Sequence, residues 1–345
     1  MPAPGDRVAD VADVKFAAKF AARLTAKPPL DRSYLLDDLD AHMAELVAEA
    51  DPLVAEETGF ETTSGATSRV LSRADWAACN VESMLALLSP LIERVGRLDT
   101  PGLDLVRYAY RPVLGAQLGA VLGLLSTRVL GQYDVMKAEP GEVWFVGPNV
   151  VTMERRLGFV PRDFRLWIAL HELTHRAQFE GNPWLRDHFM SSVRELLSFE
   201  VDPKAFIGRL VRAVREPDET PIGVRILGPE QLERFNHMQA FMSVVEGHGN
   251  FVMDRIAKRM IPTHERMRTA LSSGAAAGGI FNKILRKLLG LDLKKLQYDQ
   301  GQRFFNSIFE AAGPNAVAAC FSGPQALPTL SEIQNPARYL ARTQA

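Results

Sequence analysis

Apolar residues recur at helical spacing along almost the whole chain, three to four positions apart, with polar residues between. On that period residues 8 to 26, 34 to 49, 74 to 97, 103 to 130, 163 to 180, 184 to 200, 203 to 215, 229 to 260 and 281 to 310 are expected to be helical, with stops at Pro28-Pro29, Pro101-Gly102 and Pro217. One stretch breaks the habit. Gly141-Glu-Val-Trp-Phe-Val-Gly-Pro-Asn-Val-Val151 is rich in β-branched and aromatic residues and bounded by turn formers, which predicts a strand or short hairpin. The expected fold is therefore mainly α, with a small β-sheet or hairpin directly before the helix at 163 to 180. Residues 1–135 read as a helical N-terminal region and residues 136–345 as the region that carries the chemistry. No internal repeat or low-complexity tail is present. Ser272-Ser-Gly-Ala-Ala-Ala-Gly-Gly279 is the expected loop, a linker or a lid.

Composition narrows the classes. A chain of 345 residues that is 47% hydrophobic and 23% charged is long enough for one large core or two smaller ones. A formal net charge of -1 predicts no general affinity for nucleic acid. Cys79 and Cys320 are the only cysteines, too few for a disulfide framework or a thiolate metal cluster. The run Pro112 to Ser126 carries Gly115, Gly119 and Gly123, but it is short for a bilayer and contains Gln117, so a buried helix is expected rather than a transmembrane segment. The N-terminus lacks the continuous apolar stretch of a secretory signal, so a cytoplasmic location is expected. Charge is uneven: residues 31 to 61 hold ten acidic residues and one basic, and residues 254 to 303 hold eleven basic and four acidic. Each is read as a solvated surface, or the two as mutually attracting faces. A sharper reading lets Lys283, Arg286, Lys287, Lys294 and Lys295 line an approach for anions.

The candidate chemistry sits at His171-Glu-Leu-Thr-His175, inside an expected helix. One turn apart, the two histidines leave the helix from one face, so both imidazoles reach one zinc ion while Glu172 reaches a water on that ion. A catalytic zinc takes three protein ligands and keeps one position open. The extended pattern with a Gly and a third His downstream is absent, because Gln178 and Gly181 stand at those positions. The third ligand is therefore remote, and residues 231 to 254 offer the best segment. Glu246 and His248 lie about 200° apart on a helix, so one straight helix aims only one of them at the metal. Glu246 shares its face with Gln239, Ser243 and Asn250, whereas the face of His248 carries Phe241, Val244, Val245 and Val252 and reads as core. Glu246 is the expected ligand, with His248 the alternative if Gly247 and Gly249 distort the helix.

The strings Gly147-Pro-Asn149, Phe164 to His175, Asn182-Pro-Trp-Leu-Arg186, Val245-Glu-Gly-His248 and Gln297-Tyr-Asp-Gln-Gly301 resemble a family of zincin-like metalloproteases. That family occurs mainly in actinobacteria and is sometimes labelled as associated with deazaflavin-coenzyme biosynthesis. The similarity runs from about residue 10 to 340. It implies a zinc-dependent metalloprotease or hydrolase and says little about substrate. In known zincins an uncharged residue usually follows the second His; here it is Arg176.

Zn2+ at His171, His175 and Glu246, with Glu172 as general base, predicts hydrolysis of a peptide or small amide substrate. His248, Tyr298 and His237 are open possibilities for a further donor to the oxyanion. The alternative class is a catalytically silent binding or scaffold protein, its zinc structural or absent, and the intact Glu172 argues against it. No Gly-rich dinucleotide fingerprint supports a coenzyme-linked reaction. The pattern leaves oligomeric state open.

Overall fold

A computed structural model of the protein describes residues 19–23, 33–62, 65–96, 115–116, 118–136, 142–197, 228–271 and 296–343. The chain forms two compact units, residues 1–52 with 63–176 and residues 53–62 with 177–345. Two of the three boundaries fall inside continuous helices, α1 (Leu39–Thr58) and α4 (Pro161–Gly181), and the third lies between residues 62 and 63, ahead of β1.

The first unit is built on a three-stranded sheet of order β1-β3-β2, with β1 Thr67–Leu71, β2 Gly131–Tyr133 and β3 Glu142–Val146. β1 runs parallel to β3, pairing Val70 with Phe145, and β2 runs antiparallel to β3, pairing Gly131 with Phe145. β3 has every residue from Val143 to Val146 buried, the pattern of a central strand. The expectation of a strand or hairpin at 141 to 151 is half right: the strand ends at Val146 and Gly147–Leu157 is helix α3. A short apolar run does not distinguish strand from helix by period alone. Here Pro148 stands in the first turn, and Asn149 donates to the carbonyls of Ser126 at 2.7 Å and Val129 at 2.6 Å. Those bonds hold the stretch that leads into β2.

Helix α2 (Arg73–Gly96) grips β2 from one side. Trp76 Nε1 donates to Gln132 Oε1 at 2.6 Å, and Gln132 Nε2 donates to Asn80 Oδ1 at 2.9 Å. Of the helix expected at 103 to 130, residues 115–116 and 118–126 are helical, residues 127–130 lead instead into β2, and the rest lie outside the described residues. Helix α1 continues past the expected end at 49, through Pro52, because buried Leu46, Val47, Ala50 and Val54 hold it across the missing N–H. Within this unit Arg165 of α4 makes a two-pronged pair with buried Glu154 of α3, at 3.0 and 2.9 Å, and meets His42 Nδ1 of α1 at 2.8 Å.

The second unit is all helical among the described residues: α5 (Trp184–Leu197), α6 (Pro229–Met260), α7 (His264–Ala270), α8 (Leu296–Ala312), α9 (Pro314–Ala319), α10 (Leu330–Gln334) and α11 (Pro336–Thr343). α6 is its spine, packed chiefly on α8 and also on α5 and α10. Glu57 pairs with both Arg255 and Arg259, so part of the expected attraction between acidic and basic stretches is realised within this unit. The helix expected at 203 to 215, the loop at 272 to 279 and the basic residues Lys283 to Lys295 lie outside the described residues. Most of the helix expected at 8 to 26 lies there too. Among the described residues no helix is long and apolar enough to cross a membrane. The architecture is mainly α with a small sheet ahead of α4, as the period and the β-rich stretch predicted.

Candidate metal centre

α4 forms because Pro161 opens it at a position where its missing N–H costs nothing, Asp163 complements the N-terminal dipole, and no Gly or Pro interrupts it before Gly181. No residue from 163 to 178 is exposed, so the helix is packed on nearly all sides. His171 and His175 are half-buried on one stripe of it. Their Nε2 atoms stand 3.1 Å apart, with ring centroids 4.6 Å apart and planes at 84°. Burial, followed by the neighbouring His175, holds the His171 imidazole well below the ordinary histidine pKa, so its neutral, ligand-competent form is favoured.

Glu172, about 100° further around the helix, is buried and lies against β2. A Cβ at Gly131 would stand 2.6 Å from Glu172 Cγ and 2.7 Å from its Oε1. The carboxylate thus occupies space left by the missing side chain of Gly131. Thr174, buried, returns its hydroxyl to the Leu170 carbonyl at 2.7 Å and plays no part in the polar stripe.

Arg176, the charged residue where zincins usually have an uncharged one, has a wholly buried side chain and pairs with Asp51 at 2.7 Å. Asp51 also accepts the Ala66 N–H at 3.0 Å, just ahead of β1. The guanidinium therefore bonds to α1, one position on from His175, and the departure leaves both imidazoles in place.

In the second unit Glu246 and His248 sit on the unbroken run of α6, and both are buried. His248 is surrounded by Phe60, Phe251, Phe305 and Phe321, with ring centroids 5.7, 6.4, 5.2 and 4.6 Å away. Its Nδ1 meets Gln178 Nε2 at 3.0 Å, and the same Nε2 donates to the Val245 carbonyl at 2.8 Å. Since a carbonyl only accepts, the amide nitrogen is identified, and the ring proton of His248 belongs on Nε2. The core reading of His248 from its helical face holds, although the rings around it are not those that share its face. The helix runs unbroken through Gly247, which lets α8 approach, since a Cβ there would stand 2.5 Å from the Gly301 carbonyl carbon. His237 is exposed on α6, and the Tyr298 side chain lies outside the described residues. Sequence reasoning missed Gly131 and Gly301, whose value is the room they leave, and passed over Gln178 as only a failed motif position.

A helix bearing two convergent imidazoles with a buried carboxylate between them in sequence, set beside a small sheet, is the arrangement of the zincins as a class. More narrowly, the chain belongs to the zincin-like metallopeptidase family, whose model matches residues 12–340. It is also similar to the crystal structure of a candidate hydrolase with a novel fold from Chloroflexus aurantiacus, at 29% identity and a TM-score of 0.75, covering 96% of this chain and 99% of that one. No curated protein matches it.

Proposed function

We propose that this protein is a zinc-dependent peptidase that cleaves peptide or small amide bonds, with His171, His175 and Glu246 as metal ligands and Glu172 as general base. The observation that carries the reading is the 3.1 Å approach of the two Nε2 atoms. Tetrahedral zinc with Zn–N bonds of about 2.0–2.1 Å holds two ligand nitrogens about 3.3 Å apart, so the pair fits that ion. Two neutral imidazoles that point ring nitrogens at each other need a proton or a cation between them.

A carboxylate oxygen from Glu246 beside the two ring nitrogens would give the donor set of a peptidase zinc. The assignment of Glu246 rests on the face that it shares with Gln239, Ser243 and Asn250, polar where the face of His248 is apolar.

Zinc held by these residues would supply positive charge to polarise a water and stabilise an oxyanion. Glu172 takes the proton as that water attacks the carbonyl carbon, and returns it to the leaving amine. Its burial beside Gly131 keeps the carboxylate in one place. β2 supports a site for extended substrate. Val146 N–H donates to the Leu130 carbonyl at 2.9 Å, so in this antiparallel register Gly131 turns its own N–H and carbonyl to the outer edge. A peptide that adds to that edge runs beside Glu172. β3 is paired on both sides, and on β1 Asp40 already accepts the Val70 N–H at 2.8 Å, so neither offers the same edge.

The test is metal content by mass spectrometry together with cleavage of a quenched peptide library. Wild type is expected to carry about one zinc per chain. His171→Ala, His175→Ala and Glu246→Ala lose it. Glu172→Gln keeps the metal and loses roughly 10²–10⁴ in rate. Wild type without zinc after reconstitution sinks the reading.

A further inference from the structure

We infer that Gln178 is the positioning residue of this site: by clamping α4 to α6 at Val245 and His248 it sets the rotation of α4, and with it the aim of His171 and His175. The inference rests on the zinc reading above.

His171, His175 and Gln178 follow one another at four and three residues, which places them on a single stripe of the helix. Gln178 is completely buried, and both hydrogens of its amide are used: one goes to the Val245 carbonyl at 2.8 Å, the other to His248 Nδ1 at 3.0 Å. Those acceptors are three residues apart on α6 and flank Glu246. A planar amide that satisfies two fixed acceptors admits little rotation of its parent helix, whereas an apolar residue of the same length would fill the space and leave the rotation free.

Both ends of the clamp are themselves held. His248 is wedged among Phe60, Phe251, Phe305 and Phe321. At the other end the Gln178 carbonyl accepts from the Asn182 backbone N–H at 3.1 Å and from Asn182 Nδ2 at 3.0 Å, which caps the last turn of α4. The imidazoles sit one and two turns back from this fixed point. A small turn of α4 about its axis swings both imidazoles together, changing their direction toward the third ligand that the zinc reading assigns, and zinc tolerates little error in ligand direction.

The experiment compares wild type, Gln178→Met, Gln178→Asn and a control, Ile333→Ala, which removes buried side chain from α10 elsewhere in the same unit. Each is assayed metal-free for melting temperature, then for zinc affinity by competition with a chromophoric chelator, then for the visible spectrum of the cobalt-substituted protein. Gln178→Met is expected to bind zinc roughly tenfold or more weakly, with a shifted cobalt band. Gln178→Asn, which keeps the amide but cannot span both acceptors, falls between. Ile333→Ala lowers the melting temperature and leaves zinc affinity and spectrum at wild-type values. Should Gln178→Met fail to fold, Gln178→Asn carries the comparison by the same criteria. Wild-type affinity and spectrum in the Gln178 variants overturn the inference alone, as does equal weakening by Ile333→Ala. A wild type that takes up neither zinc nor cobalt overturns it together with the peptidase reading.

Discussion

Glu172 and Gly131 share one volume. A Cβ on residue 131 would stand 2.6, 2.7 and 2.9 Å from three atoms of the carboxylate side chain, closer than any real contact of that kind. Gly131→Ala therefore has to displace Glu172 or bend β2. The expected outcome is a fall in peptide cleavage of at least tenfold, on the scale by which small misplacements of reacting groups cost rate, with zinc content kept. Metal analysis beside steady-state kinetics checks it, and unchanged cleavage would show that Glu172 has room elsewhere. At this scale the two imidazoles and Glu172 were legible in the chain, because their relation is local to one helix. Gly131 was not, because its partner is 41 positions away and its contribution is an absence. Arg176 departs from the zincin habit in the sequence, and its pairing with Asp51 in the fold gives the buried charge a partner.

Between elements, the crossing of α6 and α8 matters most for the site. Gly247 and Gly301 meet backbone to backbone: a Cβ on Gly301 would stand 2.3 Å from the Ser243 carbonyl oxygen and 3.0 Å from Gly247 Cα. Neither neighbour is a flexible side chain that can swing aside. Gly301→Ala is expected to push α8 away from α6, at a cost of about 1–3 kcal/mol or more from overpacking. Urea unfolding of the metal-free protein reads that loss. Because Glu246 precedes Gly247, zinc affinity should fall as well. Full stability in Gly301→Ala would mean that the two helices slide apart freely.

The elements themselves were unequally legible. α6 was expected at residues 229 to 260 and runs Pro229–Met260, since Pro at its start and a long apolar period mark it locally. β1 was missed: Thr67-Ser-Arg-Val-Leu71 buries only Leu71, and its extended form comes from pairing with β3 rather than from its own composition. β2, three residues long, was absorbed into the apolar run before it for the same reason.

For the molecule as a whole, two half-buried histidines predict a loss of stability on the acid side. Burial lowers the pKa of His42, reinforced by Arg165, and burial likewise lowers that of His188. Both are neutral in the folded protein at pH values where the unfolded chain holds protons. Between the lowered folded values and the ordinary value of 6.5, the unfolded state binds more protons, so stability rises with pH through that window. It is fully present above 6.5 and declines as the pH falls below it. The metal-free protein should melt at a lower temperature at about pH 5.5 than at about pH 7.5, measured by calorimetry at constant ionic strength. A melting temperature that rises on acidification would contradict the assignment. A second loss is expected below 4.5 from Glu332. Burial opposes its charge, but hydrogen bonds from Arg342 and Thr329 outweigh that and lower its pKa.

What the chain determines by itself is whatever depends on near neighbours along it. The helical period, the placing of His171, Glu172 and His175 on one helix, and the difference in polarity between the faces of Glu246 and His248 all follow from spacings within a few turns. The tertiary structure decides whatever depends on which distant segments share space. It makes β3 central and β2 an edge, fits Glu172 into the gap at Gly131, and seats His248 among four phenylalanines drawn from three other segments of chain and its own helix. It also turns Gln178 from a failed motif position into a clamp on α6. The division has a physical cause. Helical period and side-chain direction are set by backbone sterics over a few residues, whereas close packing and the pairing of buried polar groups are satisfied only once remote parts of the chain are brought together.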